Sequence, residues 1–356
     1  MSVKGGKMSK QWLKYKTEIY GLCAIWVMLF HISRRVGVPG NIPIVTPLII
    51  QGNAAVDVFM LLSGICGYLS FKNKSWKEYY KKRCIRVVIP YIIISTPFWI
   101  WKSLIEVPVN GHFNIKMFIK DITTFSLWKN GTTTTWFVAA ICLFYFLVPF
   151  LNKIIHKRTA VAAILLMVIL LNIFGMCFVP IYYCSCLVWG RLPMFIVGYY
   201  IGKHLSDKEN NNRVQNNWLI AISVTVVLIS FVILQIGEID YGFDDNRGVI
   251  YLLYELLAIP LTIVLTQISK LINKIKILER FVKSVGTVSL EIYMIHVFII
   301  RWIAFYDGFA VLRHFSYPII FVSAYLISLL ASKIINYLIL NIRGIKVWKK
   351  YLYRNR

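Results

Sequence analysis

Acidic side chains are scarce in this chain: 15 Asp and Glu stand against 40 Lys and Arg over 356 residues, a formal charge of +25. All charged residues together make up only 15% of the positions, apolar residues make up 58%, and the mean hydropathy is +0.66. Soluble domains hold roughly 45–50% apolar and about 25% charged residues. A soluble core could not hide so much apolar surface. Other absences narrow the class further. No small-residue cleavage pattern follows the first apolar run, so no removable signal peptide is expected. No internal repeat is visible, which disfavours a transporter built from inverted halves. The seven cysteines lie mainly in apolar runs and read as small packers. Cys184 and Cys186 could oxidise, but no metal-ligand spacing accompanies them and no metal is expected.

What is present in abundance is apolar runs of about 20 residues, each long enough to cross roughly 30 Å of hydrocarbon. They read as about ten transmembrane helices, near 17–35, 50–71, 86–105, 133–151, 159–175, 186–202, 216–236, 249–268, 285–306 and 315–340. The positive charge could signal nucleic acid, and its distribution decides. With the N-terminus in the cytoplasm, 30 Lys and Arg fall on the inner side, eight fall outside, and Arg191 and Arg301 lie within spans. This asymmetry predicts that both termini are cytoplasmic, and makes anionic membrane lipid, not nucleic acid, the partner of the basic charge. The expected fold is all-α and polytopic, a single membrane domain over 1–356. Basic cytoplasmic tails are expected at 1–16 and 341–356, a polar inner linker at 204–217, and an acidic outer loop at 237–248. The amphipathic segment 106–132 is expected to lie in the outer interface.

Eight ionisable residues remain inside the spans: Glu18, His31, Asp57, Arg191, Glu255, Glu291, His296 and Arg301. A charge at the bilayer centre costs about 2.5–3.5 kcal/mol on insertion scales, so such residues normally face the protein interior and have partners. Five of them, His31, Asp57, Arg191, Glu255 and Arg301, fall in the outer half, which predicts one polar chamber near the external face. Each has a plainer alternative. Glu18 could be an interfacial helix start, Glu255 and Arg301 a structural ion pair, Asp57 a partner of Arg34 or Arg35, and His31 an interhelical hydrogen-bond donor. His31 with Asp57 at similar depth and two arginines one turn away favours chemistry. An imidazole accepts a proton near neutral pH, a carboxylate fixes its tautomer, and arginines stabilise an oxyanion or hold an anionic group. The set suits acyl transfer to an alcohol. A proton relay in a transporter or flippase would use the same residue types, and a non-catalytic scaffold would tolerate the loss of His31.

The order of the motifs adds a resemblance. "GLCAIWVMLFH", ending in His31, resembles the opening helix of the integral-membrane acyltransferase family 3, with its essential histidine. "GNAAVDVFMLLSGICGYLSF" resembles the second-span motif and carries Asp57, Ser63 and Gly64. "YYKKRCIRVVIPYI" is similar to the basic entry of the third span, with Arg83 and Arg86. "TWFVAAICLFYFLVPFL" resembles the helix from Trp136 to Pro149. "GRLPMFIVGYYIG" and "GTVSLEIYMIH" resemble the segments bearing Arg191 and His296. The resemblance implies acyl transfer from cytosolic acetyl-CoA to a hydroxyl of a cell-surface or lipid-linked saccharide in a bacterial cytoplasmic membrane. It implies His31 as general base oriented by Asp57. Arg34, Arg35, Arg191, Arg301, His296 and Trp136 would then stand toward the acceptor. Two departures stand out. Tyr20 occupies the position, eleven residues before the histidine, where the family often has arginine. The two lie on one helix face roughly 16 Å apart. With Tyr20 beside the donor, the cation for its phosphates must come from elsewhere: Lys81, Lys82, Arg83 and Arg86 are candidates, against a plainer reading as topology charges. Ile141 stands where many sugar O-acetyltransferases of the family carry glutamate.

Overall fold

The computed structural model describes residues 6–41, 45–131, 134–155, 158–178, 182–207, 217–240 and 247–341. Most of the basic tails, residues 208–216 of the linker and 241–246 of the acidic loop lie outside these ranges, as does the side chain of Cys184. Among the described residues there is no sheet, only one isolated bridge between Val109 and His112. A chain this apolar must satisfy its backbone N–H and C=O groups internally when it crosses lipid, and helices do so within each segment.

The helices in chain order are α1 (Gly6–Lys14), α2 (Lys16–Val36), α3 (Val45–Ile50), α4 (Ala54–Phe71), α5 (Trp76–Arg83) and α6 (Ile89–Trp101). Then come α7 (Ile115–Ile122), α8 (Phe125–Asn130), α9 (Trp136–Ile154), α10 (Arg158–Phe178), α11 (Tyr182–Trp189) and α12 (Leu192–Asp207). The last are α13 (Asn217–Asp240), α14 (Arg247–Ile272), α15 (Lys276–Thr287), α16 (Ser289–Phe305), α17 (Gly308–Leu312) and α18 (Ser316–Asn341). Among the described residues, six helical stretches are long and apolar enough to cross a membrane, and a seventh does so if α15 and α16 count as one broken span. α10 and α13 contain shorter apolar stretches.

Three elements differ from the sequence expectation. The run 285–306 is not one rod: α15 and α16 meet at a 75° bend at Val288. The run 186–202 is broken by a turn at Gly190 and Arg191 between α11 and α12. The N-terminal segment expected as a tail forms α1, and its Trp12 is buried.

α4 is the central helix, with Ala54 to Val58, Met60 to Gly64, Ile65 and Tyr68 all buried. Apolar residues on every face suit a helix surrounded by others. The outward faces of α10, α13 and α18 expose Leu166, Leu170, Phe174, Ile229, Val232, Leu326 and Leu330, the surface a bilayer would cover. α4 packs on α12 at close range because both contribute glycine at the crossing. A Cβ on Gly64 would run into the Phe195 carbonyl, and one on Gly198 into the Leu61 carbonyl. Small residues let two helix backbones approach in this way, and van der Waals packing then replaces the missing hydrophobic drive in lipid. That approach sets the depth at which the start of α12 meets the start of α4.

The segment between α6 and α9 is tied down by buried polar contacts. Lys102 Nζ donates to Asp121 Oδ2 at 2.6 Å with both side chains buried, and Ser126 Oγ donates to Asp121 Oδ1 at 2.5 Å. Arg301, on α16, grips Glu106 through Nε and Nη2 and reaches the Thr134 hydroxyl through Nη1 at 3.2 Å.

Candidate active site

The bend at Val288 is what brings two histidines together. At the start of α2, Gly21 and Gly286 let α15 lie directly on α2, with their α-carbons facing the Val282 and Thr17 carbonyls. Glu18 holds this junction: it accepts from Asn273 Nδ2 at 3.0 Å and lies 3.5 Å from Lys283 Nζ. This favours the plainer role for Glu18. From that anchor the chain turns through 75°, and α16 runs beside α2. His296, two turns into α16, then meets His31, three turns beyond Gly21. The rings stand edge to face with centroids 5.2 Å apart.

The two imidazoles differ in what surrounds them. His31 is half-buried, with Phe30 on one side. His296 is buried, and its Nδ1 lies 2.7 Å from the Ile292 carbonyl oxygen one turn back. A carbonyl only accepts, so Nδ1 of the neutral ring carries the hydrogen and Nε2 carries the lone pair. That Nε2 is buried and has no hydrogen-bond partner among the described residues.

His296 also lines an internal cavity of about 140 Å³. Its wall includes Tyr20, Val56, Ser63, Phe137, Ile141 and Tyr145. The Tyr293 hydroxyl, on the same wall, accepts from the backbone N–H of Phe137 at 3.2 Å and so fixes the start of α9. Tyr20 stacks on Phe59, centroids 5.2 Å apart, and lies within electrostatic reach of Arg83. Arg83 is buried; its guanidinium covers the Tyr145 ring at 3.9 Å and its Nη2 donates to the Cys66 carbonyl at 2.9 Å. A buried cation therefore stands beside the Tyr20–Tyr145 end of the cavity, and His296 lines another part of it, with His31 behind His296 and outside the lining. Arg86 is exposed, in the π-helical turn Cys84–Val88.

A second polar cluster backs onto the same wall, because Asp57 follows Val56 and Trp136 precedes Phe137. Arg191 projects from the turn before α12 and is fully buried. Its Nε is 3.6 Å from Asp57 Oδ1, its Nη2 donates to Asn53 Oδ1 at 3.1 Å, and its guanidinium lies 4.9 Å from the Trp136 ring. Glu255 is buried within electrostatic reach of both Asp57 and Arg191. Nearby, the Tyr254 hydroxyl donates to Gln51 Oε1 at 2.5 Å.

The expected single outer chamber is thus resolved into separate groups. The structure brings His31 to His296, Asp57 to Arg191 and Trp136, and Tyr20 to Arg83. It gives Asp57 an arginine as partner, and no hydrogen bond or ion pair joins Asp57 to His31 among the described residues. Arg34 and Arg35 are exposed in the last turn of α2. Arg301 pairs with Glu106 and not with Glu255. Sequence reasoning passed over Asn53 and Gln51. They are the polar break in "LIIQGNAAVD", and a polar break at the mouth of an apolar run is the signal that could have marked them.

These features define a polytopic helical membrane protein that holds a cavity with one histidine, His296, on its wall and a second, His31, in contact with the first. A family model described as an acyltransferase domain matches residues 21–336, and the chain belongs to that family, acyltransferase family 3. It is a membrane acyltransferase. No curated protein and no solved structure matches the chain.

Proposed function

We propose that the protein moves an acyl group, acetyl in the simplest case, from cytosolic acyl-CoA to a hydroxyl of an extracytoplasmic or lipid-linked saccharide. The observation that carries this reading is the cavity, with a buried arginine beside one end and His296 on its wall at another, backed by His31. In this reading the chain crosses a bacterial cytoplasmic membrane about ten times with both termini inside, so the Lys16 end of α2 is cytoplasmic and the His31 end faces outward. Arg83 then stands where a phosphate or pyrophosphate of the donor would need a cation. The apolar cavity receives the thioester end of the donor, and the acceptor approaches His31 from outside, past Arg34 and Arg35. His31 takes the proton of the acceptor hydroxyl as its oxygen attacks the thioester carbonyl. The C–O ester bond forms, the C–S bond breaks, and CoA leaves as a thiolate. Asp57 serves this site by fixing Arg191 and the Trp136 wall, with Arg191 and Trp136 set toward the acceptor side of the cavity.

The test is release of CoA from radiolabelled acetyl-CoA by purified protein in liposomes, with mixed surface saccharides offered. His31→Ala should abolish both CoA release and transfer of label into saccharide while leaving an inserted, folded protein. Full activity in that variant would remove His31 as the base.

A further inference from the structure

The acyl-transfer reading gives the acceptor's proton to His31, yet the leaving thiolate needs a proton on the donor side, inside the cavity. His31 stands at the outward end of α2. His296 lies on the cavity wall itself. Three observations single out His296. Its Nδ1 is committed to the Ile292 carbonyl at 2.7 Å, which fixes the tautomer. Its Nε2 is buried without a hydrogen-bond partner among the described residues, a costly state for a buried polar atom. Its ring stands edge to face with His31 at 5.2 Å and 6.1 Å from Tyr293. A lone imidazole that only filled space between helices would satisfy both nitrogens or give way to an apolar residue. Here one nitrogen is held by backbone and the other is left unpartnered, in a ring that lines the cavity.

We infer that His296 is a second catalytic residue, the general acid for the leaving thiol; this rests on the acyl-transfer reading above. The hydroxyl proton is taken by His31 and relayed through a water bridging the two rings to Nε2 of His296, since no direct hydrogen bond joins them. His296 becomes the imidazolium, its Nδ1–H still donating to the Ile292 carbonyl. Nε2 then gives the proton to the CoA sulfur as the C–S bond breaks. The products are the saccharide ester and CoA thiol, both histidines return to their neutral forms, and no co-reactant is consumed. The Ile292 carbonyl orients the imidazole and fixes its tautomer, as a carboxylate does in other sites.

The experiment uses the full chain in liposomes and bromoacetyl-CoA, whose electrophilic carbon sits beside the thioester. It is run on the wild type and on a Cys66→Ala/Cys142→Ala variant, so that neighbouring thiols do not compete. Peptide mass spectrometry should place the adduct on His296 at least tenfold above His31, with excess CoA protecting. His296→Gln should lose the adduct. In the acetyl-CoA release assay it should lower kcat by about 10²–10⁴ with KM for acetyl-CoA nearly unchanged, the loss expected when one proton-transfer group goes. An adduct confined to His31 or to other residues, or a His296→Gln variant with wild-type kcat, would overturn the role of His296 and leave acyl transfer standing. No CoA-protected adduct anywhere would overturn this inference together with the acyl-CoA reading.

Discussion

Replacing Arg191 with methionine removes the positive charge between two buried carboxylates, Asp57 and Glu255. Arg191 and Asp57 are both fully buried at 3.6 Å, and Glu255 is 5% exposed. At that distance and an effective dielectric constant of about 20, the attraction of the pair is about 4–5 kcal/mol. Its net value is smaller because both ions are desolvated, but breaking a buried pair leaves the survivor uncompensated, which costs about 3–5 kcal/mol. Arg191→Met leaves Asp57 buried without its cation and falls in that range. Asp57→Asn leaves Arg191 with Glu255, with Asn53 and with the Trp136 ring. It should cost about 1–2 kcal/mol, on the order of one charge-assisted hydrogen bond. The reversible unfolding of each variant in bicelles, followed by steric trapping, measures the difference directly. Arg191→Met should be less stable than Asp57→Asn by at least about 2 kcal/mol. An equal loss, or a larger one for Asp57→Asn, would refute one arginine serving two carboxylates. The same pair of variants separates structure from chemistry for Asp57. If the carboxylate acts through Arg191, acyl transfer by Asp57→Asn should follow the fraction of folded protein.

Two further outcomes follow from the packing. Gly64→Ala should destabilise by about 1–3 kcal/mol, as overpacking does, because the added methyl meets the Phe195 carbonyl and not a side chain that can swing away; a thermal midpoint equal to wild type would mean that α4 and α12 are farther apart. Lys102→Met should leave Asp121 buried and unpaired at a cost of about 3–5 kcal/mol. The double variant Lys102→Met/Asp121→Leu should recover most of that, and limited proteolysis of the 107–131 segment reports both. A double variant no better than the single one would show that Ser126 and the Tyr91 hydroxyl bonded to the Asp121 carbonyl, not the ion pair, hold that segment.

The helical membrane class was legible because it depends on run length and on the cost of unpaired backbone in lipid, both properties of short stretches of chain. The motifs quoted from "GLCAIWVMLFH" to "GTVSLEIYMIH" likewise pointed to the family, and His31 and His296 stood out as lone imidazoles in apolar runs. Partner choice was not legible. Asp57 had Arg34 or Arg35 as its candidate cation and Glu255 had Arg301, and depth along the spans did not point to Arg191 as the partner of Asp57. The choice falls to Arg191 because Gly64 and Gly198 draw α12 against α4, while Arg301 is taken by Glu106. Hydropathy averaged through the bend at Val288 and the turn at Arg191, since both flanks are apolar, yet these two breaks set His296 against His31 and bury Arg191. Apolar patterning is one-dimensional and local, so the chain alone specifies what enters the membrane. Which buried charge meets which is decided by how closely helix backbones approach and at what register, and only the packed structure contains that.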